Sequence, residues 1–202
     1  MKYKSKIVIL LSFMFFLSGC VTIDMTSLFD GRYSPSKDLD RTKGAIVGSI
    51  SEGFLTQPHG LLVFIRPLSS KQNEIILATM GYKDEDPKLN ILSNTFMYEL
   101  PPGKYEVYKW EYYYYRGKSL PRTKPIVFTV KANEITYIGN FHGVALTMCL
   151  SDYNNYAEDM KKLRKKYPIL KKRKVSNQAS KIAFRGWPHE KSEDLFGRGK
   201  CK

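Results

Sequence analysis

The residue types able to do chemistry are few and scattered. Three histidines stand at 59, 142 and 189, and three cysteines at 20, 149 and 201. There is no His-Glu-x-x-His and no closely paired cysteine motif, whereas a metal site must assemble three or four ligands. No metal and no cofactor are therefore expected. No Gly-x-Ser-x-Gly supports a hydrolase, and no glycine-rich phosphate loop is present. His142 follows Phe141 at a strand end and could face His59 on a neighbouring loop. A satisfied or exposed histidine is the plainer reading of each site, and no catalytic residue is expected. The densest functional types are in Trp110-Glu-Tyr-Tyr-Tyr-Tyr-Arg116, followed by Lys118. Strand alternation would send Tyr112 and Tyr114 to one face and Tyr113 and Tyr115 to the other. One set would cover the sheet. The other, with Arg116 and Lys118 at a hairpin tip closed by Gly117 to Pro121, is the candidate surface for a sugar or protein: Tyr113, Tyr115, Arg116 and Lys118.

The elements that must position these residues begin with an address. Lys2, Lys4 and Lys6 precede the apolar run Ile7 to Phe16. A basic start, a short apolar run and small residues describe a secretory signal. The run is too short for a comfortable spanning helix of about 20 residues. The lysines hold the start on the cytoplasmic side. Leu17-Ser18-Gly19-Cys20 then resembles the lipobox of bacterial lipoproteins. The resemblance covers four residues and implies a signal peptide over 1–19, with lipidation of Cys20 as the first mature residue. Lipoproteins of this kind carry three acyl chains, and two or more chains anchor stably. Val21 in place of Asp favours the outer membrane, facing the periplasm, by similarity to the enteric sorting rule.

The whole chain carries 33 Lys and Arg against 19 Asp and Glu, a net charge of +14. Removing the three lysines of the signal leaves +11 by count. Such a charge fits anionic lipid or glycan, or serves solubility. Nucleic acid is not an expected partner for an exported protein. With Cys20 lipidated, Cys149 and Cys201 are an even pair in an oxidising compartment. They could bridge if the tail brings them within about 7 Å.

Residues 20–43 hold Gly31, Ser34, Pro35, Ser36 and Asp38 and read as the lipidated cysteine and a tether. Strand patterns follow at 44–50, 61–66, 74–79, 94–100, 104–110, 125–130, 135–141 and 144–150. Short β-branched and aromatic runs with turn signals between them predict a mainly β, antiparallel sandwich over 44–150. Phe96-Met-Tyr-Glu-Leu-Pro-Pro-Gly-Lys-Tyr-Glu-Val107 resembles the core of transthyretin-like (prealbumin-like, carboxypeptidase-regulatory-like) modules. Ile126 to Phe141 resembles the stretch that follows in a group of bacterial lipoproteins. That likeness implies a non-catalytic, envelope-attached domain and supplies no ligand. Tyr115-Arg116-Gly117-Lys118-Ser119 is similar to the Tyr-Arg-Gly-Ser ending of hydroxyisourate hydrolases, but it lies mid-chain with Lys118 inserted.

Tyr156, Met160, Leu163 and Tyr167 share one helical face, which predicts a packed amphipathic helix over 151–168, capped by Ser151 or Asp152 and stopped by Pro168. Its basic side is a solvated face or a contact with anionic lipid. Residues 169–202 read as a basic, partly disordered tail in which Ile182, Phe184 and Trp187 could dock. The expected function is a membrane-anchored, non-catalytic binding or structural module with an envelope protein or glycan as partner. The alternative is a hydrolase-like enzyme on a transthyretin-like fold.

Overall fold

The computed structural model describes residues 32–35, 37–70, 73–80, 86–88, 90–192 and 201. The signal, Cys20 and the first part of the tether lie outside them. The chain is mainly β. Its strands are β1 (Gly44–Gly53), β2 (Leu61–Pro67), β3 (Ile75–Ala78), β4 (Asp86–Lys88), β5 (Ile91–Leu100), β6 (Gly103–Tyr112), β7 (Ile126–Val130), β8 (Ile135–Val144) and β9 (Cys149–Tyr153). Helix α1 (Tyr156–Lys166), a 3-10 turn (Pro168–Lys171), β10 (Val175–Asn177), a short α2 (Ala179–Ile182) and β11 (Phe184–Pro188) complete it.

Two sheets result. One has four strands in the order β3-β2-β6-β7; the other has seven, in the order β11-β9-β8-β1-β5-β4, with β10 also on β8. Alternation along β5 shows why they face each other. Leu92, Phe96, Tyr98 and Leu100 are buried, whereas Ser93, Thr95 and Glu99 are only partly covered. Phe96, Tyr98 and Leu100 meet Val63, Trp110, Phe128 and Phe141 in one core shared by both sheets. Each fully buried large apolar side chain contributes about 1.5–3 kcal/mol. A second core lies on the outer face of the large sheet, where Met160, Leu163 and Tyr167 cover Ala45, Val47, Met97 and Tyr137.

Several expectations are corrected. The sheet is mixed, not antiparallel throughout: β1 and β8 pair in parallel, as do β8 and β10. Pro101-Pro102-Gly103, turn residues whose types predict a hairpin, does turn the chain, but carries it from the large sheet to the small one and closes no hairpin. Lys131 to Glu134 crosses back in the same way. The strand expected over 144–150 is a turn at 145–148 between β8 and β9. The helix begins at Tyr156, not 151, because Ser151 and Asp152 extend β9. Asn155 precedes α1 without a side-chain cap. The later tether residues pack on the domain: Tyr33 is buried and donates its backbone N–H to Met97, with its ring 6.0 Å from that of Tyr167.

The docking segment expected at Ile182, Phe184 and Trp187 is present, and order extends on both sides of it. Residues 168–192 are structured: β10 and β11 extend the large sheet, and Trp187 is buried in the shared core. Cys149 at the start of β9 and Cys201 are disulfide-bonded, with Cα atoms 5.5 Å apart. A loop of 52 residues is thereby closed. Closing a loop of that length restricts the unfolded chain, so Cys149→Ser with Cys201→Ser should cost about 2–4 kcal/mol. Urea unfolding of the oxidised protein against the double variant measures it, with an unchanged midpoint as the contrary result.

Candidate functional site

Three adjacent strands meet the helix layer at β1, β5 and β8, and their geometry depends on two glycines. Between Val47 and Ser49 the β1–β8 register shifts, with Ile138 and Gly139 opposite Gly48 alone. Gly139 has φ +120°. A Cβ there would lie 2.1 Å from Asp152 Oδ1, and a Cβ on Gly48 would lie 2.5 Å from the Gly139 carbonyl oxygen. Only glycine fits both positions. The extra residue keeps Tyr137 and Asn140 on the same face of the sheet.

A chain of polar side chains runs along that face. Ser49 Oγ and Tyr137 Oη each donate to Asp159 Oδ2 at 2.6 Å. Asn140 Nδ2 donates to Ser49 Oγ at 2.6 Å. Ser51 Oγ lies 3.3 Å from Asn140 Oδ1 and 2.9 Å from His142 Nδ1. This network floors a cleft of about 700 Å³ between α1 and the sheet, whose helix side carries Glu158, Lys162, Lys165 and Lys166. Burial raises the Asp159 pKa above the usual carboxylate range, while the bonds from Ser49 and Tyr137 pull it down. Burial, and then the charge of Asp159, push the Tyr137 phenol up.

Asp152 on β9 pairs with Phe141 of β8 and Phe184 of β11, on the inner face of the sheet, and is almost wholly buried. Burial pushes its pKa up to about 8, with the charge of Asp159 adding to the rise. The backbone amides of Asn140 and Tyr153 pull the other way. Neither carboxyl oxygen reaches a partner at hydrogen-bonding geometry, so burial wins.

The tyrosines predicted from sequence lie elsewhere, at the end of the fold where β1 stops and β2 begins. Tyr112 ends β6 in the core, and alternation stops there because the chain enters a turn. Tyr113, Tyr114 and Tyr115 are therefore all exposed, Tyr114 most at 65%. The expected two-and-two division fails, and Tyr114 joins the candidate surface. Tyr113 and Tyr114 donate backbone N–H groups to Gly60 and His59 at 2.8 and 3.0 Å. Arg116 and Lys118 are exposed beside them. Leu55, His59, Tyr115, Leu146 and Met148 line a second hollow of about 230 Å³ at this end. The loop is braced from below by a buried glutamate: Glu52 accepts from the backbone N–H groups of His59, Gly60 and Leu61 and from Thr79 Oγ1. Glu52 is fully buried.

His59 and His142 do not face each other. His142 bonds Ser51, whereas His59 lies 3.7 Å from Glu52, and these neighbours on β1 point to opposite faces of the sheet. His189 packs on Trp110 with ring centroids 5.3 Å apart. Among the described residues no group of His, Cys, Asp and Glu could hold a metal, and no helix is long and apolar enough to cross a membrane. Sequence reasoning missed the polar network, because its members lie up to 110 residues apart. The local sign was an odd one: serines at 49 and 51 in an otherwise apolar strand pattern.

No family model and no curated protein matches the chain. Among solved structures, a leucine-rich repeat protein from Bacteroides thetaiotaomicron aligns at 17% identity and a TM-score of 0.28. The alignment covers 61% of this chain and 16% of that one, and a likeness this low carries no argument.

The buried acid gives a test with a definite sign. From about pH 4 to about 8 the unfolded chain has released the Asp152 proton that the native state keeps. Stability should therefore fall as pH rises through this window, by up to about 1.4 kcal/mol per unit for one proton. Thermal unfolding of wild type and Asp152→Asn between pH 5 and 8 should show a shallower decline in the variant. Parallel curves would contradict this assignment.

Proposed function

We propose that the protein is a lipid-anchored module of the bacterial envelope, held through Cys20 at the outer membrane and facing the periplasm. It binds an envelope protein or glycan and performs no catalysis. The observation that carries the binding reading is the aromatic end: Tyr115 lines a hollow with Leu55 and Leu146, and Tyr113 and Tyr114 are exposed in the same turn, as are Arg116 and Lys118. Tyrosine and arginine are the side chains that most often dominate binding energy, and rigid rings lose little entropy when covered. The disulfide between Cys149 and Cys201 accords with export to an oxidising compartment. The alternative of an enzyme built on paired histidines has no shared cleft to use, since His59 and His142 lie on opposite sides of β1.

We also infer that the two sheets are a transthyretin-like sandwich, elaborated by α1 and the two C-terminal strands. Its support is the resemblance at Phe96 to Val107, which spans the end of β5, the crossing and the start of β6, and at Ile126 to Phe141.

Two experiments test this reading. Globomycin treatment should leave a longer, uncleaved precursor in the membrane fraction, and Cys20→Ser should abolish incorporation of labelled palmitate. Normal cleavage under globomycin, with palmitate labelling unchanged by Cys20→Ser, removes the anchor. Crosslinking in intact envelopes should capture a specific protein, or purified cell-wall glycan should retain the protein. Tyr113→Ala with Tyr115→Ala should weaken the capture at least tenfold, about 1.4 kcal/mol. Equal capture by the variant excludes this surface.

A further inference from the structure

The outer face of the large sheet changes chemistry at one level across three strands. Val47 pairs with Met97 on β5 and with Tyr137 on β8. Two residues further along, Ser49 pairs with Thr95 and Asn140, and then Ser51 with Ser93 and His142. The strands are distant in sequence, yet each passes from large apolar side chains to small polar ones at the same register. Helix α1 covers the apolar level with Met160, Leu163 and Tyr167. The polar level is left as the floor of the cleft of about 700 Å³, within the ~300–1,000 Å³ typical of small-molecule sites.

We propose that this cleft binds a small anionic polyol, a sugar carrying a phosphate or a carboxylate. Ser51, Ser93, Thr95 and Asn140 offer hydroxyl and amide groups that both donate and accept, which is what a run of sugar hydroxyls needs. Three lysines, Lys162, Lys165 and Lys166, line the cleft with two carboxylates, the exposed Glu158 and the buried Asp159; the charge of Lys162 acts on Asp159, and Lys166 Nζ donates to the Thr95 carbonyl at 3.3 Å. Ammonium groups on flexible stems take an anion as point charges. The floor is held before any ligand arrives. Asp159 fixes Ser49 from the helix side, Ser49 accepts from Asn140, and the Asn140 carbonyl oxygen faces Ser51. Polar groups fixed by neighbours bind without losing further side-chain entropy. This site is separate from the tyrosine end, and variants at the one leave the other intact.

Calorimetric titration of the full-length protein in detergent tests it, with glucuronic acid, a glucose phosphate, glucose and inorganic phosphate as probes. At least one of the two anionic sugars should bind, and which does so identifies the source of the charge. Glucose should bind at least tenfold more weakly. Lys162→Gln with Lys165→Gln should weaken the anionic sugar at least tenfold, with thermal stability within a few degrees of wild type, since both side chains are exposed. Thr95→Val should weaken the sugar and leave inorganic phosphate unaffected. The proposal is overturned if neither anionic sugar binds, if inorganic phosphate binds as tightly as the sugar phosphate, or if the lysine variant binds as wild type does. It is overturned equally if the lysine change abolishes only retention on phosphatidylglycerol vesicles, which would make the helix a membrane contact.

Discussion

Everything C-terminal to β7 depends on satisfying the backbone of β8. One edge of this strand pairs in parallel with β1. The other is divided: β10 takes Ile135 to Tyr137, and β9 takes Asn140 to Val144. Gly139 stands at the division, in a conformation that few other residues adopt. A buried strand cannot leave N–H and C=O groups unpaired without a large penalty. Two partners from different parts of the chain share the edge, one on each side of the bulge. That sharing brings the segment after α1 back into the sheet.

The C-terminal segment then acts as a strap across the tyrosine end. Trp187 Nε1 donates to the Leu120 carbonyl, and the Leu120 N–H donates to Pro188. Glu190 exchanges hydrogen bonds with Lys118. The loop that follows the three tyrosines is thus held by residues some 70 positions later in the chain. Cys201 locks the strap to β9. A rigid loop presenting aromatic rings suits recognition, because little motion remains to be lost on contact.

The large sheet shows how polar and apolar chemistry coexist within one layer. Its inner face is mostly apolar and packed against the small sheet, with the buried carboxyls of Glu52 and Asp152 as exceptions. Its outer face is divided by register into an apolar half under α1 and a polar half beside it. Asp159, on the helix, reaches across to Ser49 and Tyr137 and links the two halves. Buried carboxyls are unfavourable when charged, and the raised pKa of Asp152 is the visible consequence.

Local pattern alone determined much of this protein. The period-two burial of Phe96, Tyr98 and Leu100, the one-faced spacing of Met160, Leu163 and Tyr167, and the turn at Pro101-Pro102-Gly103 were all legible, because each depends on neighbours within a few residues. The lipobox-like ending at Cys20 was legible for the same reason, and lies outside the described residues. Only tertiary structure decided that β1 and β8 run parallel, that the Pro-Pro-Gly turn changes sheets, that residues 168–192 are part of the sheet, and that all three tyrosines of the turn face outward. Pairing between segments nearly a hundred residues apart leaves no mark on local periodicity. The cleft is the clearest case: Ser49, Thr95, Asn140 and Asp159 are unremarkable singly in sequence, and become a surface only when strand register sets them side by side.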